Sequence, residues 1–377
     1  MKRLTALLLC ALLLLLPVTA NAATDYSGKY RSTSLHLQAC PAPDVGSMGG
    51  EWLVLGLARG EGIAREMAEG YYNNVCAYVR GKGSAKLDRS KVTENARVIL
   101  ALTSIGHDAC DVEGFDLLEP LADFRFVKKQ GLNGAVWTLL ALDCMPYDIP
   151  ETTAQEVTTR EKLIETILSR QNESGGWDVK NSCADPDMTG MALQALAPYY
   201  ESDAAVRKAV DTALLTMEQN QLDNGGFLTY GSATTESCAQ MLTALCTLGI
   251  AEDDSRFVKN GRTVLDRMLD FSVENGFAHL QGDGYNQMAT EQAYYAMTAL
   301  ERMKGGKTVL YDMSDLLLPY DVNLDGKVNI IDVTETQRYI AELCSFNLRQ
   351  QKIARADANG AVTITFATEI QRFIAQQ

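Results

Sequence analysis

The chain has 377 residues, enough for one large helical body and a small appendage, and its 48 acidic residues against 34 basic ones give a net charge of -14. Charge of this sign repels a phosphate backbone, which excludes nucleic acid as a partner. It suits solubility and the binding of divalent cations.

The first predicted element is an export segment. Lys2 and Arg3 form a positive start, Leu7 to Leu16 an apolar run, and Ala20-Asn21-Ala22 a small-residue cleavage site. The run ends at Pro17 and is too short to span a bilayer, so cleavage after Ala22 and secretion are expected. Cys10 lies inside the run instead of closing it, which argues against a lipid anchor. No later stretch is apolar enough for a transmembrane anchor. Without residues 1–22 the balance is 32 basic against 48 acidic residues, or -16, because Lys2 and Arg3 are lost. Eight cysteines then remain, at 40, 76, 110, 144, 183, 238, 246 and 344. Their spacing resembles no zinc site, and eight cysteines allow too many pairings for one to be assigned. Cys238 and Cys246 stand two helical turns apart, too far to bridge each other.

Next comes a run of helices with an internal repeat. Apolar segments begin near Glu51 (EWLVLGLARG), Glu94 (ENARVILALTSIG) and Gly134 (GAVWTLLALD). Then QNESGGW (171–177) and QLDNGGF (221–227) recur fifty residues apart, with a decayed copy VENGF (273–277). Each is followed by an apolar helical segment: MTGMALQALAPY, ESCAQMLTALCTLG and TEQAYYAMTALERM. Amphipathic stretches such as TREKLIETILSRQ and RKAVDTALLTMEQN lie between them. Small residues (Ala192, Ala195, Ala239, Ala244, Ala296, Ala299) allow the apolar helices to crowd together. The Gly-Gly pairs supply turns with positive φ, and the aromatic after each pair is expected to cover the turn from the side. The fold class expected is all-α: six inner helices inside a shell of outer ones, a closed α/α toroid over residues 23–312, with an open solenoid as the alternative.

These QxxxGxW and QxxxGxF segments resemble the QW repeats of the squalene cyclase and protein prenyltransferase superfamily. NARVILALTSIGHD, EGFDLLEPLADF, KQGLNGAVWTLLALD and DPDMTGMALQALAPYY extend that resemblance to secreted prenyltransferase/squalene-oxidase-repeat proteins. The resemblance implies the toroid but no one activity, since such toroids host enzymes and vitamin carriers alike.

Aligning the inner helices on Leu196, Leu245 and Leu300 puts an acid nine residues upstream in each: Asp187, Glu236 and Glu291, with Asn133 in that place before Leu142. All would share one end of the ring. Acids in a first helical turn offset the helix dipole, and Thr235 and Thr290 are candidate N-caps beside them. The functional alternative is a ring of ligand-binding groups at a cavity mouth, lined beneath by Trp137, Tyr294 and Tyr295. Asp187 is also a weak catalytic candidate. The resemblance to class II terpene cyclases places it at the acid of a DxDD motif, but Met188 replaces the final acid, and aromatics make up 7% of the chain. Glu236-Ser237-Cys238 mimics part of a prenyltransferase zinc site, but the third ligand, a histidine, has no counterpart near Glu291, so no zinc is expected. A glycan-active enzyme would use Asp187 with Glu236. Binding of an unidentified ligand is favoured over catalysis.

The pattern changes near residue 313. Asp321-Val322-Asn323-Leu324-Asp325-Gly326-Lys327-Val328-Asn329-Ile330-Ile331-Asp332 is an EF-hand-type loop. Oxygen ligands fall at Asp321, Asn323, Asp325, the Lys327 carbonyl and Asp332, with the sharp-turn glycine at Gly326. With the helix VTETQRYIAEL after it, this segment resembles a type I dockerin, and a second copy follows 34 residues later. There Arg355 replaces Asp321 and Phe366 replaces Asp332, so one calcium ion is expected, in the first loop. The resemblance implies docking of residues 313–377 to a cohesin-bearing scaffold protein, with Ile330 and Ile331 in the contact.

Overall fold

The structure is a computed structural model that describes residues 25–46, 50–180, 182–354 and 360–377. The expected export segment lies outside the described residues, as do Arg355 and the rest of the second loop up to Asn359.

The chain is mostly helical. Helices α1 (Ser27–Gln38), α2 (Glu51–Arg59), α3 (Arg65–Lys82), α4 (Val92–Ser104), α5 (Phe124–Lys128) and α6 (Gly131–Asp143) open it. Helices α7 (Arg160–Ser169), α8 (Pro186–Leu196), α9 (Ala204–Asn220), α10 (Thr235–Thr247), α11 (Val264–Leu269) and α12 (Gln287–Lys304) follow. A two-residue hairpin, β1 (Ser272–Val273) antiparallel to β2 (Gly276–Phe277), precedes α12.

Among the described residues, the even-numbered helices α2 to α12 pack in chain order, each against the next, and α12 returns to pack against α2. Burial separates this inner set from the rest. In α10 every residue from Thr235 to Cys246 is buried, whereas α9 buries one stripe of Val206, Ala209, Val210, Ala213, Leu214 and Met217. The stripe recurs at three- and four-residue steps, the pattern of a helix with one face to solvent. Close approach between inner helices needs small residues. A Cβ on Gly190 would stand 2.8 Å from the Gln240 carbonyl oxygen, so α8 and α10 meet backbone to backbone.

The repeated Gln-to-aromatic segments are structural ties. Gln171 Nε2 donates to the carbonyls of Gly175 and Ala209, both at 2.8 Å, and Gln221 Nε2 donates to Gly225 (2.8 Å) and Phe257 (2.9 Å). Each glutamine thus pins its own turn to the chain that follows. Gly175 and Gly225 take φ of +92° and +86°, which a side chain would strain. Trp177, Phe227 and Phe277 are fully buried, and Trp177 Nε1 donates to the Ile167 carbonyl at 2.7 Å. An aromatic of this size stabilises more as a plug between helices than on the surface.

The N-caps also differ by position. Thr234 caps α10 and Asn286 caps α12. Thr235 instead donates its hydroxyl to the Ala278 carbonyl, and Thr290 receives the Phe277 N–H at 2.9 Å. The eight cysteines among the described residues are free thiols, four of them buried.

Beyond α12, Arg59 and Arg302 both bind Asp315, at 2.8 and 2.7 Å, and fix the segment leaving the body. A second, separate hydrophobic cluster follows, built from Val322, Val333, Phe346, Ile353, Phe366 and Ile370. It holds α13 (Ile330–Ile340), α14 (Leu348–Ile353) and α15 (Ile364–Ile374), with α13 packed on α15. No helix among the described residues is long and apolar enough to cross a membrane.

Candidate functional site

Two places carry polar chemistry. The first is the loop Asp321 to Asp332. Leu324 (φ +61°) and Gly326 (φ +79°) turn it back on itself. Asp321 closes the turn by accepting the N–H groups of Asp325 (3.1 Å) and Gly326 (2.8 Å). Asp332, fully buried at the start of α13, accepts from Val322 (2.8 Å), Asn323 (3.1 Å) and Asn329 (2.8 Å). Burial pushes the Asp321 carboxyl above its ordinary range. Two backbone donors oppose the shift, and the charges of Asp332 and Asp325 add to it.

Three acids and an asparagine spaced along one small loop are the donor types that a hard cation takes. Among the described residues, no three His, Cys, Asp or Glu side chains are grouped as a metal cage on their own. At the second copy, Gly360 keeps a positive φ of +81°, but Phe366, in the place of Asp332, is buried in the module core with its ring near Tyr320. Ile330 and Ile331 are 61% and 49% exposed.

The second place is where the inner helices begin. A cavity of about 600 Å³ is lined by Trp52, Arg97, Asn133, Trp137, Asp187 and Met191, from α2, α4, α6 and α8. Trp52 and Trp137 pack ring on ring, 4.8 Å apart, and Tyr295 forms the layer below, its ring 6.2 Å from Trp52. Tyr295 is held in a buried amide belt: Gln194 donates to Gln240, and Gln240 donates to Gln292 and to the Tyr295 hydroxyl.

Asp187 lies in the first turn of α8 with one carboxyl oxygen buried and unpartnered. Burial raises its pKa to about 7. Asp185 and Glu236 add to the shift, and Ser237 and His279 oppose it. Glu236 in α10 is buried, and one of its oxygens lies 2.8 Å from His279 Nδ1. Glu291 in α12 is fully buried and raised to about 8, first by burial and then by Glu51, against a hydrogen bond from Gln287 at 2.5 Å.

Of the six residues expected at this mouth, the structure brings Trp137 and Asp187 to the cavity wall and Tyr295 beneath it. Glu236 and Glu291 stand behind the wall. Tyr294 does not face the cavity: its ring stacks on Tyr30 of α1 at 5.0 Å, and its hydroxyl bonds Ser34. Adjacent helical residues point about 100° apart, so Tyr294 and Tyr295 cannot share a face. Sequence reasoning missed Glu51, Trp52 and Arg97. Glu51 and Trp52 open the first inner helix just as Asp187 opens α8, but the Gly49-Gly50 pair before them lacks the glutamine of the repeat, Val45 standing in its place. His279, in the loop before α12, is half-exposed and paired with Glu236.

The family model for the dockerin type I domain matches residues 319–369. That span holds the loop Asp321 to Asp332, α13, α14 and the first half of α15. No curated protein matches the chain.

Proposed function

We propose that residues 313–377 form a calcium-dependent docking module that attaches the helical body, residues 23–312, to a cohesin-bearing scaffold protein outside the cell. The observation that carries this is the oxygen-lined loop Asp321 to Asp332 leading into α13, within the segment that resembles a type I dockerin. Asp321, Asn323, Asp325, the Lys327 carbonyl and Asp332 are the groups that would hold calcium, which would neutralise carboxylates that otherwise repel one another. Phe366 in the module core leaves the second loop without its twelfth-position acid, which favours one ion. Exposed Ile330 and Ile331 supply an apolar contact at the start of α13. Thermal unfolding of the full chain with and without calcium, alongside binding to an immobilised cohesin, tests the proposal. Calcium-independent binding, or no calcium effect on unfolding, refutes it.

For the body, the reading is an α/α toroid of squalene cyclase and prenyltransferase type that binds a ligand at the mouth formed by the inner-helix N-termini. The return of α12 onto α2 and the aromatic-lined cavity support it. A second reading, an extracellular glycan-active enzyme, is favoured by the raised pKa of Asp187, as a general acid requires. It is weakened by Glu236, which stands behind the cavity wall against His279 instead of across a cleft from Asp187.

A further inference from the structure

The acidic end of the ring leaves an unusual set of atoms unsatisfied. Asp187 Oδ1, Glu51 Oε2, Glu236 Oε1 and Glu291 Oε2 are all buried without a hydrogen-bond partner. Glu51, Glu236 and Glu291 are each more than nine-tenths buried. A carboxylate in that position is costly until a proton or a cation reaches it. Of the three side-chain cations nearby, two are already committed. Arg97 is held by Glu94 at 2.8 Å and lies 3.8 Å from Glu51, His279 is held by Glu236, and Lys91 is exposed at the rim.

Resting on the reading of the mouth as a ligand site, we propose that the cavity binds an organic cation: a primary ammonium seated on Asp187, with an apolar body against Trp52, Trp137, Met188 and Met191. An ammonium brings both N–H donors and charge to the unpartnered oxygen, and charge-assisted bonds of this kind are the strong ones. The indole rings cover the apolar body, and a volume of about 600 Å³ suits a small organic molecule. The groups facing Asp187 are Asp185 on its own helix, Glu236 and Ser237 on α10, and His279 in the loop before α12. Across the cavity Glu94 and Arg97 offset each other and Lys91 stands at the exposed rim, so the acids Asp185 and Glu236 outweigh His279 around Asp187 and favour a positive guest. The proton that Asp187 holds near neutrality is what the ammonium displaces, whereas a neutral polyol has no charge to offer in its place.

Titration calorimetry of the full chain with benzylammonium near neutral pH, in two buffers of different ionisation enthalpy, tests this. Binding with proton release is expected. Benzyl alcohol, the neutral counterpart, should bind about tenfold more weakly or worse. Asp187→Asn should weaken benzylammonium by a similar factor and abolish the proton release. The Asp187 carboxyl, followed by carbon NMR, should titrate lower when benzylammonium is saturating, a readout independent of the variant's folding. Equal binding of benzyl alcohol, or no downward shift at Asp187, overturns the inference. Binding of a neutral methyl glucoside but not of benzylammonium overturns the cation assignment and leaves the mouth as a ligand site. Failure of all three probes to bind refutes both readings.

Discussion

Replacing Gln221 with Ala tests whether the repeated glutamine ties the ring together. Its amide is 7% exposed and donates to the Gly225 and Phe257 carbonyls at 2.8 and 2.9 Å. Each bond is worth about 1 kcal/mol net, and a buried carbonyl left unpaired costs about 1–3 kcal/mol. Truncation also leaves a void, whereas removing Gln221 Oε1, which has no partner, returns part of the loss. Together these give a destabilisation of about 2–4 kcal/mol. Gln171→Ala removes two equivalent bonds from a half-buried site, where water can reach the freed carbonyls, so about 1–2 kcal/mol is expected. Gln221→Met keeps the volume and discards the bonds, and should recover less than half of the Gln221→Ala loss. Urea unfolding followed by tryptophan fluorescence reads the body, because Trp52, Trp137 and Trp177 all lie there. A loss under about 0.5 kcal/mol at Gln221, or a larger loss at Gln171 than at Gln221, refutes the reasoning.

Asp321→Ala should remove calcium-linked stabilisation of the docking module, which otherwise reaches about 4 kcal/mol when calcium exceeds its dissociation constant a thousandfold; thermal unfolding across a calcium series reads it. Asp187 and Glu291 keep their protons in the folded protein up to about pH 7 and about pH 8, whereas the unfolded chain loses them near about pH 4. Their contribution to stability is therefore full in acid and falls as pH rises through that window, by up to about 1.4 kcal/mol per pH unit for each proton. Asp187→Asn with Glu291→Gln should flatten the urea-midpoint profile between about pH 5 and pH 8 and raise stability at the upper end. Arg349 joins module to body: it pairs with Asp108 at 3.1 Å and lies over the Tyr147 ring, while the neighbouring Leu348 N–H reaches Asp148 at 3.0 Å. Arg349→Ala should change overall stability by no more than about 1 kcal/mol yet raise hydrogen exchange in α14, and unchanged exchange there would count against a seated module.

What could be read from the sequence follows from how local each feature is. The contrast between α9 and α10 is written in composition, since a single apolar stripe and an unbroken buried run cannot be confused. The loop Asp321 to Asp332 is equally legible, because its oxygen-bearing residues sit within twelve positions and need no other part of the chain. The N-caps fail at one-residue resolution: Thr234 and Thr235 are equally able to cap, and backbone geometry alone puts Thr234 at the cap. Tyr294 and Tyr295 are chemically identical neighbours, and α1, from the far end of the body, decides that Tyr294 is covered while Tyr295 turns inward. The mouth is the extreme case. Its wall takes one to three residues from each of α2, α4, α6 and α8, and His279 reaches Glu236 across 43 positions. A fifty-residue period specifies that such helices recur and that their first turns point the same way. Which side chains then face one another is fixed by closure, when α12 packs on α2 and brings Glu51 into the field of Glu291. The chemistry of that end therefore belongs to the ring as a whole, and a substitution that loosens the α12–α2 contact, such as Gly56→Ala, whose Cβ would stand 3.1 Å from the Tyr294 ring, should disturb the acids of the mouth without touching one of them.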